Sequence, residues 1–227
     1  MKGRIKRDGE IKRLPFGRLG KVKIGMKNAK GYPQSVDYFI PTGKYASMFT
    51  SKLGDKPNII QIVFPSDDAS LVCNEHYEYR DNRGDLLAKG DGEEFQVWDG
   101  QRYQTFSIND YPQLMDGVAR KHPSKSGWVI TLEMNFIVPA ISGVVGVWNF
   151  QTKGSESTIP QIREAFDNMK ELNGTAAGVI FDLSVSFAKS QKPGVSSRYP
   201  VVTMVANESD ENKKKFADVN YVTKCLE

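Results

Sequence analysis

The sequence predicts an α+β fold: a predominantly antiparallel β-sheet with two or three helices. Three observations predict it. Apolar and polar residues alternate at period two over several long stretches, the pattern of half-buried strands. Turn formers such as Asp81-Asn82-Arg83-Gly84 and Asp99-Gly100 separate those stretches at short intervals. Helical spacing recurs in only a few short segments, which argues against the strict strand–helix alternation of a doubly wound parallel sheet.

In chain order, Val22, Ile24 and Met26 alternate with Lys21, Lys23 and Lys27, predicting a strand with one charged face. Residues 34–40 predict a second strand. Pro41-Thr42 is read as opening a short helix, with Tyr45, Met48, Phe49 and Leu53 near helical spacing and Gly54 as its stop. Ile59 to Phe64 and Leu71 to Tyr79 read as strands, followed by three short ones at 86–89, 95–98 and 101–108. Residues 109–127 allow a short helix through Tyr111, Leu114, Met115 and Val118.

Trp128 to Val138 predicts a long strand, and Val144 to Phe150 its neighbour. Thr158 and Gln161 have the form of a capping box, ahead of a helical repeat of Ile159, Ile162, Phe166, Met169 and Leu172 that Asn173-Gly174 ends. Two strands, 179–188 and 199–206, follow around Lys192-Pro193-Gly194, and a terminal helix is read over 209–225. Strand pairs on either side of one helix occur twice, which suggests repeated β-β-α-β-β units, although no residue-level repeat accompanies them. The chain divides into a basic segment (1–30) leading into the first sheet, an N-terminal α+β half (20–108), a C-terminal α+β half (128–206) and a terminal helix or tail (207–227).

With 227 residues, the chain is long enough to bury a full core without staples. Charged residues make up 26%, which excludes a wholly disordered chain. No apolar run reaches the ~18–20 residues that cross a bilayer; the longest, Phe136 to Phe150, is broken by Pro139, Gly143 and Gly146. No secretory signal follows the basic N-terminus. The two cysteines, Cys73 and Cys225, offer no disulfide framework, so a reducing compartment is expected. Charge is uneven: residues 1–30 carry eleven Lys and Arg against two acids, a net of +9, and the remainder carries −5. Such an arm suits a phosphate backbone or an acidic protein surface.

Chemistry-bearing residues are few. Asp67, Asp68 and Asp91 supply oxygen ligands for a divalent cation, and so a metal-dependent hydrolase reading, but they are also ordinary turn formers. Cys73-x-x-His76 has half of a zinc spacing, with only Cys225 and His122 left to complete it; on a strand its odd offset also sends the two side chains to opposite faces. There is neither a Gly-x-Ser-x-Gly elbow nor a Walker loop. No cofactor is indicated, and a non-enzymatic role is expected. Basic residues adjoin aromatics at Lys44-Tyr45, Tyr79-Arg80, Arg102-Tyr103 and Arg198-Tyr199, which admits a single-stranded DNA-binding or replication-associated protein as an alternative; aromatics are favoured in strands for other reasons too.

A succession of segments carries a more specific signal. It runs Gly3-Arg4-Ile5-Lys6, Arg18-Leu19-Gly20 and Lys23-Ile24-Gly25, then Tyr32-Pro33 with Asp37-Tyr38-Phe39. Gly54-Asp55-Lys56-Pro57 and Phe64-Pro65-Ser66-Asp67-Asp68 follow, then Tyr77-x-Tyr79 ahead of Lys89-Gly90-Asp91-Gly92. Val147-Trp148-x-Phe150-x-Thr152 comes later. In this order the chain resembles the phage recombination directionality factor-like proteins that accompany large serine integrases. It departs from relatives with cysteine beside the Gly-Asp-Gly motif: Ala88 precedes Lys89-Gly90, and residues 93–127 hold no cysteine.

The resemblance implies an accessory protein of the bacterial host cytoplasm that binds the integrase and switches it from integration to prophage excision. Tyr32, Trp98, Tyr103 and Tyr111 are the candidate anchors for that partner. Lys2, Arg4, Lys6, Arg7, Lys12 and Arg13 are the candidate contacts to DNA backbone, without base readout.

Overall fold

A computed structural model of the protein describes residues 13–110, 128–190 and 194–207. The first strands, β1 (Arg18–Lys27) and β2 (Pro33–Thr42), form a hairpin, followed by helix α1 (Ala46–Leu53), strand β3 (Ile59–Val63) and a single turn of helix, α2 (Ala69–Val72). Four strands follow: β4 (Cys73–Arg80), β5 (Leu86–Gly90), β6 (Glu94–Trp98) and β7 (Tyr103–Ser107). Beyond residue 127 come β8 (Trp128–Phe136), β9 (Val147–Thr152), helix α3 (Thr158–Asn173), β10 (Ile180–Lys189) and β11 (Arg198–Ala206). This is the expected α+β class.

The strands make an eight-stranded sheet in the order β2-β1-β9-β8-β4-β5-β6-β7 and a three-stranded sheet in the order β11-β10-β3. All pairings are antiparallel except β1 with β9, where Lys21 lies opposite Asn149 and Val22 opposite Phe150. The ββαββ order does occur on both sides of the chain, but the pairings differ: β10 pairs with β11, whereas β3 and β4 belong to different sheets. The sheets are joined where Val63 and Ile137 exchange backbone hydrogen bonds of 2.9 and 2.8 Å.

The main core lies between the inner face of the large sheet, the small sheet and the helices. The inner row of β8 and β9 supplies Leu132, Met134, Phe136, Trp148 and Phe150; the small sheet supplies Ile60, Ile62, Phe181, Leu183 and Val202. Helix α3 adds Ile159, Ile162 and Phe166, and α1 adds Phe49, edge-on to Trp148 with ring centres 5.1 Å apart. A smaller cluster of Ala88, Phe95 and Trp128 continues the same face under β5 and β6. Among the described residues, no helix is long and apolar enough to cross a membrane.

Several local expectations need correction. Pro41 and Thr42 do not open a helix: β2 runs through Thr42, paired with Lys21, and Gly43 at φ 107° turns the chain before α1 begins at Ala46. The capping box at Thr158 is not made. Ser157 holds the N-cap position with no side-chain cap, and the Thr158 hydroxyl instead accepts from the Val202 backbone N–H at 3.1 Å, tying α3 to the small sheet. Leu71 and Val72 belong to α2 rather than to the start of a strand, because Asp68 accepts from the Ser70 N–H and caps the turn. Met26, placed on the apolar side of β1, is 46% exposed, since β1 has by then run beyond the core. The helices read at 111–127 and 209–225 lie outside the described residues.

Candidate partner-docking surface

The β6–β7 hairpin is fixed by its turn. The Asp99 carboxylate accepts from the backbone N–H groups of Gln101 and Arg102, both at 2.8 Å, and Gln104 donates to its other oxygen. Those backbone bonds, then the Gln104 amide, hold its carboxyl below the usual range. Gly100 supplies the positive φ, 102°, that the turn demands. Trp98 and Tyr103 therefore stand opposite one another, with ring centres 5.1 Å apart, on the outer face of the large sheet. The Tyr103 hydroxyl reaches back across β6 and donates to the Leu86 carbonyl at 2.8 Å. Both rings stay substantially exposed, 40% for Trp98 and 46% for Tyr103. A large aromatic pair already held in place loses little side-chain freedom on docking. Among the described residues β7 ends the sheet, so the pair stands at an edge.

Tyr32 is 66% exposed in the β1–β2 turn, where Asn28 accepts from the N–H groups of Lys30 and Tyr32. That hairpin forms the opposite end of the eight-stranded sheet. Five strand spacings of ~4.8 Å, about 24 Å along the sheet, separate β1 from the strand that carries Trp98. The fold thus brings Trp98 and Tyr103 together and leaves Tyr32 apart. Tyr111 lies outside the described residues, as do Lys2, Arg4, Lys6, Arg7 and Lys12. Arg13 lines a shallow hollow on the outer face with Leu14, Phe16, Asn74 and Asn135.

The residues weighed for metal chemistry are spent on structure. Asp67 is a latch on the loop after α3. It accepts from the N–H groups of Ala176 (2.7 Å) and Ala177 (2.8 Å) and from the Thr175 hydroxyl (2.7 Å). Burial pushes its carboxyl up, but these hydrogen bonds outweigh it and hold it below the usual value. Asp68 caps α2, and Asp91 closes the β5–β6 turn by accepting from Glu93 and Glu94, both at 2.9 Å. Cys73 is buried in the main core, its thiol pushed up to about 12 chiefly by burial, while His76 faces the other side of β4. His122 and Cys225 lie outside the described residues. Among those described, no group of three or more His, Cys, Asp or Glu could hold a metal ion.

The outer face of the large sheet carries a polar network that sequence reasoning did not find. Glu78, almost fully buried, takes His76 Nε2–H at 3.1 Å and Arg80 Nε–H at 2.9 Å. Burial pushes its carboxyl up, yet the bonds from His76 and Arg80 prevail and hold it at about 2. On β8, Glu133 accepts from Arg18 at 3.0 Å and from the Asn149 amide at 2.9 Å. The available signal was parity: Thr131, Glu133 and Asn135 alternate with the apolar row of β8, which marks a face but not its burial.

The basic–aromatic pairs have separate surroundings, and Tyr103, beside Arg102, is the ring that faces Trp98. Lys44 packs over its neighbour Tyr45, Arg80 serves Glu78, and Arg198 sits over Phe187.

No curated protein and no solved structure matches the chain. A family model described as Gp3-like, recombination directionality factor-like, matches residues 19–207, from the second residue of β1 to the residue just past β11. The match spans both sheets and all three described helices, so the chain belongs to the Gp3-like, recombination directionality factor-like family.

Proposed function

We propose that the protein is an accessory switch that docks on a large serine integrase in the bacterial cytoplasm and biases it from integration towards excision of the prophage. The family match over residues 19–207 carries this reading. A partner shifts an equilibrium only by its differential affinity for two states; moving from 1:99 to 99:1 takes about 5.5 kcal/mol. A standard interface of about 800 Å² per side, anchored by one or two aromatics, supplies that much. Trp98 and Tyr103 are the anchors, because they are exposed, opposed and already ordered. Tyr32 and Tyr111 would contribute at separate points. Lys2, Arg4, Lys6, Arg7, Lys12 and Arg13 would meet DNA backbone near the docked integrase, in a salt-sensitive and sequence-independent way.

The test pairs the protein with the serine integrase encoded in the same element and measures complex formation and recombination between the prophage ends. Excision in its presence, with integration suppressed, is the expected result. Trp98→Ala and Tyr103→Ala should each weaken the complex about tenfold or more while the far-UV circular dichroism is unchanged. Failure to associate, or recombination unaltered in either direction, overturns the reading.

A further inference from the structure

The outer face of the large sheet holds a cavity of about 490 Å³ over β1, β9, β8 and β4, within the size range of small-ligand sites. Four cations line it: Lys21 and Lys23 from β1, Lys153 just after β9, and Arg80 from β4. The one carboxylate in the lining, Glu78, is already engaged by His76 and Arg80. The lining therefore carries a formal net charge of +3, and among the described residues the three lysines have no ion-pair partner.

Two neutral residues of the same lining are buried with an oxygen left unpaired. Asn149 is fully buried, and its Nδ2 faces three acceptors: Glu133 Oε1 at 2.9 Å, Asn135 Oδ1 at 3.0 Å and the Met134 carbonyl at 3.2 Å. That fixes the amide orientation, since a flipped amide would set its oxygen against those acceptors. Oδ1 is thereby turned away from β8, and it has no hydrogen-bond partner. Thr131, 2% exposed, likewise has no partner for Oγ1. Burying an oxygen without a partner costs about 1–3 kcal/mol, so two among the residues of one lining favour a ligand that supplies the missing donors. Lysines that lack acids ask for an anion. An oxygen that needs a donor asks for a hydroxyl or amine on the same ligand.

We propose that this cavity binds a sugar-phosphate unit, its phosphate held by Lys21, Lys23 and Lys153 and its sugar or base donors turned to Asn149 and Thr131. The unit belongs to a free nucleotide or to a nucleic-acid strand. Arg80 reaches towards Tyr103, but Lys21, Lys23 and Lys153 come from β1 and the segment after β9, so variants at these lysines leave the Trp98–Tyr103 pair in place.

Calorimetric titration of the full chain at low salt tests it, using deoxyadenosine monophosphate, a short single-stranded oligonucleotide and inorganic phosphate as probes. The nucleotide or the strand should bind more tightly than inorganic phosphate. Binding of the strand alone identifies a nucleic acid as the source. The double variant Lys23→Gln/Lys153→Gln should weaken binding tenfold or more and reduce the salt slope for the strand by about 1.4, the share of two phosphate contacts. Lys189→Gln, on the small sheet, should leave binding unchanged.

Thr131→Val separates a ligand role from a packing role. It removes an unpaired hydroxyl and so should leave the urea midpoint level or raised, while weakening the nucleotide relative to inorganic phosphate. No binding of any probe at millimolar concentration overturns the proposal. So does binding that neither the lysine variant nor Thr131→Val alters.

Discussion

Glu78 shows how one carboxyl can be at once buried, charged and stabilising. Isolated, it would be forced to neutralise; with His76 and Arg80 donating to its two oxygens it stays ionised at about 2. A carboxyl lowered by folding contributes stability above its unfolded value, near 4.3, and loses it as pH falls through the folded one. Between pH 5 and pH 2 the protein should therefore lose on the order of 2 kcal/mol through this group alone. Glu78→Gln should be less stable at neutral pH and should show a flatter acid limb when urea midpoints are compared. Parallel limbs in the two proteins would count against that assignment. This residue was not legible in the sequence: Cys73-x-x-His76 drew attention to the strand, and parity correctly sent the two side chains to opposite faces. No local pattern, though, says that the outer face of a sheet is covered. Asp67 was legible as a turn former but not as a latch, because its donors lie more than 100 residues away.

Elements formed where period-two alternation was strong, and their ends moved where tertiary contacts competed. Thr42 stayed in β2 because Lys21 pairs with it, and Thr158 gave up its cap to hold Val202. The parallel seat of β1 on β9 left no local trace, since partners such as Lys21 and Asn149 are 128 residues apart and each strand alone reads as an ordinary amphipathic one. What makes the seat fit is Gly20. A Cβ there would lie 2.2 Å from the Thr42 carbonyl oxygen and 2.7 Å from the Trp148 ring, and neither can move without disturbing β2 or the core. Gly20→Ala should cost about 2–3 kcal/mol in urea unfolding with an unchanged m-value. Gly25→Ala on the same strand, whose nearest neighbour would be the Gln34 carbonyl oxygen at an ordinary 3.6 Å, should cost less than about 1 kcal/mol. Equal losses at the two sites would show that the β1–β9 seat does not depend on the missing side chain.

At the scale of the molecule, strands from before and after residue 128 are interleaved. β9 and β8 sit between β1 and β4 in the large sheet, and β3 completes the small sheet against β10. The order of elements along the chain divides it at that point, as the sequence suggests, but the pairings run across the division, and strand order is what local patterning encodes least. The inner row of β8 runs unbroken from Trp128 in the smaller cluster to Phe136 in the main core, so the β5–β6–β7 arm is bound to the rest through the strand that anchors the core. A core shared in this way is lost as a unit. Unfolding in urea should give coincident transitions by tryptophan fluorescence, which reads Trp128 and Trp148 in the two clusters, and by far-UV circular dichroism. Chains cut to 1–110 or 128–227 should each lack a cooperative transition, because each exposes the apolar face that the other covers. Two separated transitions in the intact chain, the first removed by Trp128→Phe, would instead make the arm a unit of its own, and a partner docking on Trp98 and Tyr103 would then act on that arm without straining the core.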